Sequence, residues 1–316
     1  MTTQSLDREL WTALLRRPDA SWRRRALEVW TAVGIVALIA VAWAEPVTAK
    51  LLPAWTRPFV MFVRGVLLVE SFGYAYHRFF QHVGWLTRKS ATVRRNQMFH
   101  WLHHMVIYPI GAHYKRDTGY VSSETGLATS WTVPGIIVAG LVAWTHGLTL
   151  ATLGFIAGVA CYAKFVVDAT HSRFHLVNHP WKDSAYFKNL ADIHLLHHWD
   201  QAMNFTIIHP VMDMLFGTYL SPATHREQIA AVVSEDGLTF SDATNWRYML
   251  KEASPAEYAA FITQARRHPR SIRKVEQLIA CLDRRLDLAP ADVDALDLRV
   301  RASDLLLLVK PVPAAA

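Results

Sequence analysis

Residues 148–175 read LTLATLGFIAGVACYAKFVVDATHSRFH, and this stretch decides what kind of fold the chain can have. From Leu148 to Val167 almost every side chain is apolar or small. That is close to the ~20 residues a helix needs to cross a bilayer. His171 and His175 follow at once, four residues apart. On a helix this spacing stacks two imidazoles one turn apart on one face, within bridging reach of a metal ion. An apolar span that runs straight into metal-ligand chemistry predicts an all-α integral membrane protein. The expected architecture is about four transmembrane helices under a histidine-rich helical cap.

Working outward, three more apolar stretches appear: Leu27–Leu52, interrupted by Glu45, then Pro58–Tyr76 and Trp131–Trp144. The third is short and contains Pro134, which predicts a kink or a tilted hairpin with the fourth across Thr145, His146 and Gly147. The first resembles a signal peptide, but its leader exceeds 20 residues and carries Asp7, Glu9 and Asp19, so a retained helix is expected. Six arginines precede residue 26, and the 77–126 loop holds Arg78, Arg88, Lys89, Arg94, Arg95, Lys115 and Arg116. The opposite connections hold only Lys50 and Arg57. By the positive-inside rule, four crossings then put both termini and the histidine cap in the cytoplasm. The domain reading is a cytoplasmic segment 1–26, a membrane domain 27–221 and a soluble, mostly helical extension 222–316. Within the extension, Ser254-Pro255-Ala256-Glu257 predicts a capped helix start.

Composition narrows the chemistry. The 316 residues include two cysteines, Cys161 and Cys281, too few for a disulfide framework or a four-cysteine zinc or iron–sulfur site. The net charge of +7 flanks apolar runs, and no nucleic-acid-binding signature is present. Histidine is the anomaly: 11 of 16 fall within 77–104 and 171–198.

Those windows contain His77/His82, His100/His103/His104, His171/His175 and His194/His197/His198. The five-residue separation of His77 and His82 is poor for one straight α-helix and predicts a helix end. The doublets His103-His104 and His197-His198 point about 100° apart, which suits two neighbouring ions. Two ions sharing these imidazoles is the economical count, and neutral imidazole suits iron, zinc, copper or nickel. His113, His146, His209, His225 and His268 are read as bystanders, and His179 as a spare. Glu70, two turns before His77, is expected to look toward the site. Phe79, Phe80, Trp101 and Tyr108 are candidate walls of a substrate slot.

These boxes resemble the fatty acid hydroxylase/sterol desaturase superfamily. The run Asp168-Ala-Thr-His171-Ser-Arg-Phe-His175 is similar to that of fatty acid 2-hydroxylases. Asn204-Phe205 followed by Asp213-Met-Leu-Phe216-Gly217-Thr218 resembles the family's closing pattern, with Thr206 where glycine is common. The similarity covers about residues 58–221. It implies a di-iron oxygenase that hydroxylates an unactivated lipid C–H bond with O2, a fatty acyl chain being favoured, with zinc able to replace iron in purified protein. Sterol or polycyclic-lipid desaturation and headgroup hydroxylation are the family's alternatives. A non-catalytic, histidine-rich metal-binding membrane protein is the reading outside it. The ten boxed histidines become the metal ligands, with Asp168, Asp192, His179 and Asn204 as candidate supports behind them. Asp213, Phe216 and Gly217 are read as a structural turn. The chain has no Gly-rich dinucleotide fingerprint. A separate electron carrier, a ferredoxin or cytochrome b5 with its reductase, is therefore expected near Arg88, Lys89, Arg94 and Arg95.

Overall fold

The computed structural model describes residues 26, 29–34, 36–37, 52–82, 90–109, 132–227, 229–230, 238, 240–268 and 270–310. Most of the first apolar stretch, together with Arg88, Lys89 and His113, lies outside them. The described chain is helical, with no strand among these residues. In order it forms α1 (Ala54–His82), α2 (Ala91–Leu102), α3 (Thr132–His146), α4 (Leu150–Phe174), α5 (Ala185–Trp199), α6 (Val211–Leu215), α7 (Phe240–Lys251), α8 (Pro255–Arg267), α9 (Arg270–Leu288) and α10 (Val293–Val309).

Two of these, α1 and α4, are long and apolar enough to cross a membrane. They meet backbone to backbone. A Cβ on Gly154 would strike the carbonyl of Pro58, one on Gly158 that of Phe62, and one on Gly65 that of Phe155. Gly154 and Gly158 are four apart and so share a face, the small-residue arrangement that lets apolar helices pack without a hydrophobic drive between them. α3 has 15 residues, roughly 22 Å at the α-helical rise, short of a ~30 Å hydrocarbon core. Pro134 lies in its first turn, where a missing N–H costs nothing, so it starts the helix rather than kinking it. The chain reverses at Gly147, whose φ of 71° suits glycine, and α3 folds back on α4. Phe59, Trp144, Leu150 and Phe165 point outward and stay exposed.

The extension has a different core. Trp246, Phe261, Leu278, Leu282, Leu298 and Leu305 are fully buried and form one cluster with Met98 and Leu102 of α2 and Met105 just beyond it. The helix start expected at Ser254 is present as a capping box. The Ser254 hydroxyl accepts from Glu257 N at 3.3 Å, and Glu257 Oε2 accepts from Ser254 N at 2.7 Å. The helices after residue 240 are thus braced against the element that carries His100.

Candidate metal centre

Four helix ends deliver the histidines. α1 supplies His77 and His82, and α2 supplies His100. A π-helical turn from His103 to Ile107 continues α2 with His103 and His104. α4 ends with His171, His175 follows it, and the last turns of α5 carry His194, His197 and His198. The His77–His82 spacing is resolved by a change of register. Residues Tyr76–His82 are π-helical, so positions five apart share a face, and the two Nε2 atoms stand 3.1 Å apart. α1 therefore runs through both residues rather than ending between them.

The ligand atoms gather in two sets. His77, His82, His100, His104 and His197 form one, and His103, His175, His194 and His198 the other; within each, the nitrogens lie inside 4.8 Å. His171 borders the second set, its ring centroid 4.9 Å from His194 and 5.1 Å from His103. Each doublet is divided between the sets, and the sets touch where the His104 and His198 rings approach to 4.0 Å. Eight of these nine imidazoles are buried, and His82 is partly so.

Nε2–Nε2 distances are 3.0 Å for His77–His100, 2.8 Å for His82–His100, 2.9 Å for His100–His104 and 3.2 Å for His175–His194. Two donors at right angles on an ion about 2.1 Å away lie roughly 3 Å apart, so the spacing fits adjacent ligands of one ion. Burial, followed by the neighbouring imidazoles, holds His100 and His104 well below the usual histidine range. Neutral rings keep a lone pair to donate. An all-imidazole donor set fits iron, zinc, copper or nickel.

Backbone carbonyls aim three of the rings. Nδ1 of His77 lies 2.5 Å from the Phe205 oxygen, Nδ1 of His197 lies 2.6 Å from that of Met203, and Nδ1 of His198 lies 3.1 Å from that of Tyr108. An N–H donated there leaves Nε2 as the free lone pair, facing the set. The Tyr108 carbonyl is placed by the π turn, closed by Tyr108 N donating to His103 O at 2.9 Å. Its ring stacks on His175 with centroids 4.0 Å apart.

The loop that offers the Met203 and Phe205 carbonyls is held by Asn204 and Asp213. Asn204, at φ 53°, takes a left-handed conformation that asparagine tolerates. Its Nδ2 donates to Ile193 O at 3.2 Å and Leu220 O at 3.1 Å, and its Oδ1 accepts from Leu220 N at 2.8 Å. It binds backbone rather than an imidazole, and so supports the loop behind the histidines. Asp213, fully buried, accepts from Phe205 N at 2.8 Å, Thr206 N at 2.9 Å, Thr218 Oγ1 at 2.8 Å and Thr206 Oγ1. Thr206, where glycine is common in the resembling family, thus adds a donor to this hub. Sequence reasoning assigned Asp213 to a turn and missed its grip on the Phe205–Thr206 amides, beside the carbonyl that accepts from His77. The signal was present in the Asn204-Phe205 and Asp213 pairing.

The other candidates fall outside the two sets. Asp192 is half-buried, its carboxyl pushed up by burial, and it makes no hydrogen bond or ion pair among the described residues. Asp168 lies in α4, 4.0 Å from Lys164 Nζ. His179 sits in the turn before α5, accepting from Trp181 N at 3.2 Å. His146, His209, His225 and His268 join neither set. Of the expected slot walls, Trp101 faces the extension, its ring 4.5 Å from Tyr248, whereas Phe79 packs in a cluster with Tyr74 and Phe205. Arg94 stands 4.0 Å from Glu257 of the extension.

A scan against protein-family models, a search of curated proteins and a search of solved structures each return no match.

Proposed function

We propose that the chain is a multi-pass membrane oxidoreductase of the fatty acid hydroxylase/sterol desaturase kind. In this reading it holds two iron ions in its two histidine sets and hydroxylates an unactivated C–H bond of a lipid, a fatty acyl chain being favoured. One observation carries the reading: two adjoining, largely buried, all-imidazole sets gathered where two helices long and apolar enough to span a membrane end beside α2 and α5. Iron bound there would supply reductive activation of dioxygen, chemistry that no side chain of this protein provides.

The chain's own residues do the rest. The Phe205, Met203 and Tyr108 carbonyls fix ring orientation, so Nε2 of His77, His197 and His198 is the atom turned to the sets. Burial excludes water from the rings and keeps them neutral. Phe205 lies against His77, His82 and His197 with centroids 5.7–5.8 Å away and gives the first set an apolar side. A lipid acyl chain entering from the bilayer would meet that side. Four crossings with a cytoplasmic cap complete the topology, and a separate carrier, ferredoxin or cytochrome b5 with a reductase, delivers electrons.

The test is purified, iron-replete protein assayed for metal content, for dioxygen uptake with a ferredoxin–reductase pair, and for lipid products by mass spectrometry. About two metal ions per chain and a carrier-dependent hydroxylated lipid are expected. Zinc at the same stoichiometry counts as occupancy of the same sites. A desaturated or sterol product, or a hydroxylated headgroup, would reassign the substrate. Metal binding with no turnover under any donor would leave a metal-binding membrane protein instead.

A further inference from the structure

Outside the two histidine sets, three polar side chains from three separate elements meet at one point. Glu70 lies within α1, Tyr162 within α4, and His209 in the loop before α6. The Tyr162 hydroxyl donates to Glu70 Oε1 and stands 3.0 Å from His209 Nδ1, which is itself 3.4 Å from the same Oε1. The Glu70 side chain is 9% exposed and that of His209 51%. An ionisable side chain in an apolar, membrane-length helix is costly to keep and marks a functional position.

Both neighbours converge on Oε1. Glu70 Oε2 has no hydrogen-bond partner among the described residues. The side chain also lines a half-open cleft whose enclosed space is about 10 Å³, room for one water-sized group, walled by Val69, Gly73, Tyr74, Val167, Phe205, Thr206 and Ile207. Phe205 is the wall shared with the first histidine set, where its ring is 5.8 Å from His77. Glu70 precedes His77 by seven residues, two helical turns or roughly 10 Å. A ligand with its polar end on Glu70 would have its apolar body directed along this wall toward the histidines.

We infer that the Glu70 end of this cleft recognises the polar end of a lipid through an uncharged O–H or N–H donor, an alcohol or an amide, given to Oε2. A lipid ending in a carboxylate or phosphate brings only lone pairs to an oxygen that itself accepts, and so is rejected. An ester brings no donor and gains nothing there. The inference rests on the reading of the chain as a lipid oxygenase and names the substrate class that the same site selects. Glu70 is a specificity residue here: it holds the lipid's polar end, and Tyr162 and His209 hold Glu70.

The experiment uses the full-length protein in detergent micelles and displacement of a fluorescent long-chain alcohol. Competitors are the unlabelled alcohol and the primary amide, free acid and methyl ester of the same chain length. The alcohol, the amide or both should displace the probe at concentrations about tenfold or more below those of acid and ester, since a hydrogen bond to a charged acceptor is commonly worth that much. Displacement by the alcohol alone points to hydroxyl lipids and by the amide alone to amide-linked lipids. Glu70→Leu should abolish the preference. Glu70→Gln, close in shape and able to donate through its amide, should bring acid and ester up toward the alcohol. Equal displacement by acid and alcohol in the unaltered protein overturns the inference, as does a preference that survives Glu70→Leu. Metal content measured on the same samples keeps the two readings apart. Two ions with no headgroup preference sinks only the recognition site, whereas a protein without metal strikes at the oxygenase reading.

Discussion

The α1–α4 pair and the α7–α10 bundle are both helical, yet they are held together by opposite means. In the pair, glycines bring backbones into contact, while Phe59, Leu150 and Phe165 face outward. In the bundle, large side chains such as Trp246 and Phe261 fill the centre, and ion pairs such as Lys251–Asp294 at 2.8 Å and Arg299–Asp283 at 2.5 Å lie on its outside. The first arrangement suits a surrounding that is itself apolar, where contact comes from close approach. The second suits water, where burying large apolar side chains is the drive. The histidine sets lie at the junction, fed by α1 and α4 on one side and by α2, braced on the bundle, on the other.

The largest expected effect tests the glycine contact. Gly158→Leu forces a branched side chain into the carbonyl of Phe62 and should leave no monodisperse protein on size exclusion in detergent. Gly140→Leu, in open space, should leave the profile unchanged. Equal behaviour of the two would remove the contrast between pair and bundle.

Next are the ligands at the junction. His103→Ala and His197→Ala should each abolish lipid oxidation and lower bound metal, whereas His225→Ala and His268→Ala should keep both at equal protein level. A common loss in all four would show that the two sets are not the working centre.

Trp246→Ala tests the bundle. Removing a fully buried indole packed 5.5 Å from the Phe261 ring should cost about 3–5 kcal/mol, read as a lowered thermal midpoint. Because the bundle braces α2, metal retention should fall in parallel with unfolding on heating. Unchanged retention would show that α2 holds its histidines without that support.

A smaller effect is expected at Asp213. Asp213→Asn places a donor among groups that already donate, at about 1–3 kcal/mol for the mismatch. Metal affinity should fall roughly 10–100-fold, as for loss of other supports behind metal-bound histidines, while both ions remain bindable at saturation. A titration with cobalt as a spectroscopic probe separates a weakened site from a missing one. Smallest of all, His179→Ala, which belongs to neither set, should stay within about 0.5 kcal/mol of the parent and keep its metal.

Much of this was legible in the order of residues. The apolar lengths of 58–76 and 148–167 mark the two long helices because helix rise and bilayer thickness are fixed quantities. The histidine spacing of four marks a shared helix face for the same geometric reason, whereas His100/His103 and His194/His197, three apart, are split between the sets; Ser254-Pro255-Ala256-Glu257 marks a helix start through local hydrogen bonds alone. What depends on groups far apart in the chain was not legible. The π register that brings His82 back to His77 changes which backbone groups pair, a choice that apolar periodicity does not encode. The acceptors for His77 and His197 are main-chain carbonyls, which every residue has, so no residue type announces them. Asp213 shows its role only once the chain has folded Phe205 and Thr206 onto it. Glu70 was expected to look toward the histidines from its place on the helix. The fold also gave it Tyr162, 92 residues away, and His209, 139 residues away, as hydrogen-bonding neighbours, which that place on the helix does not announce. Periodicity reports which face of an element a side chain occupies, but only packing decides what that face meets.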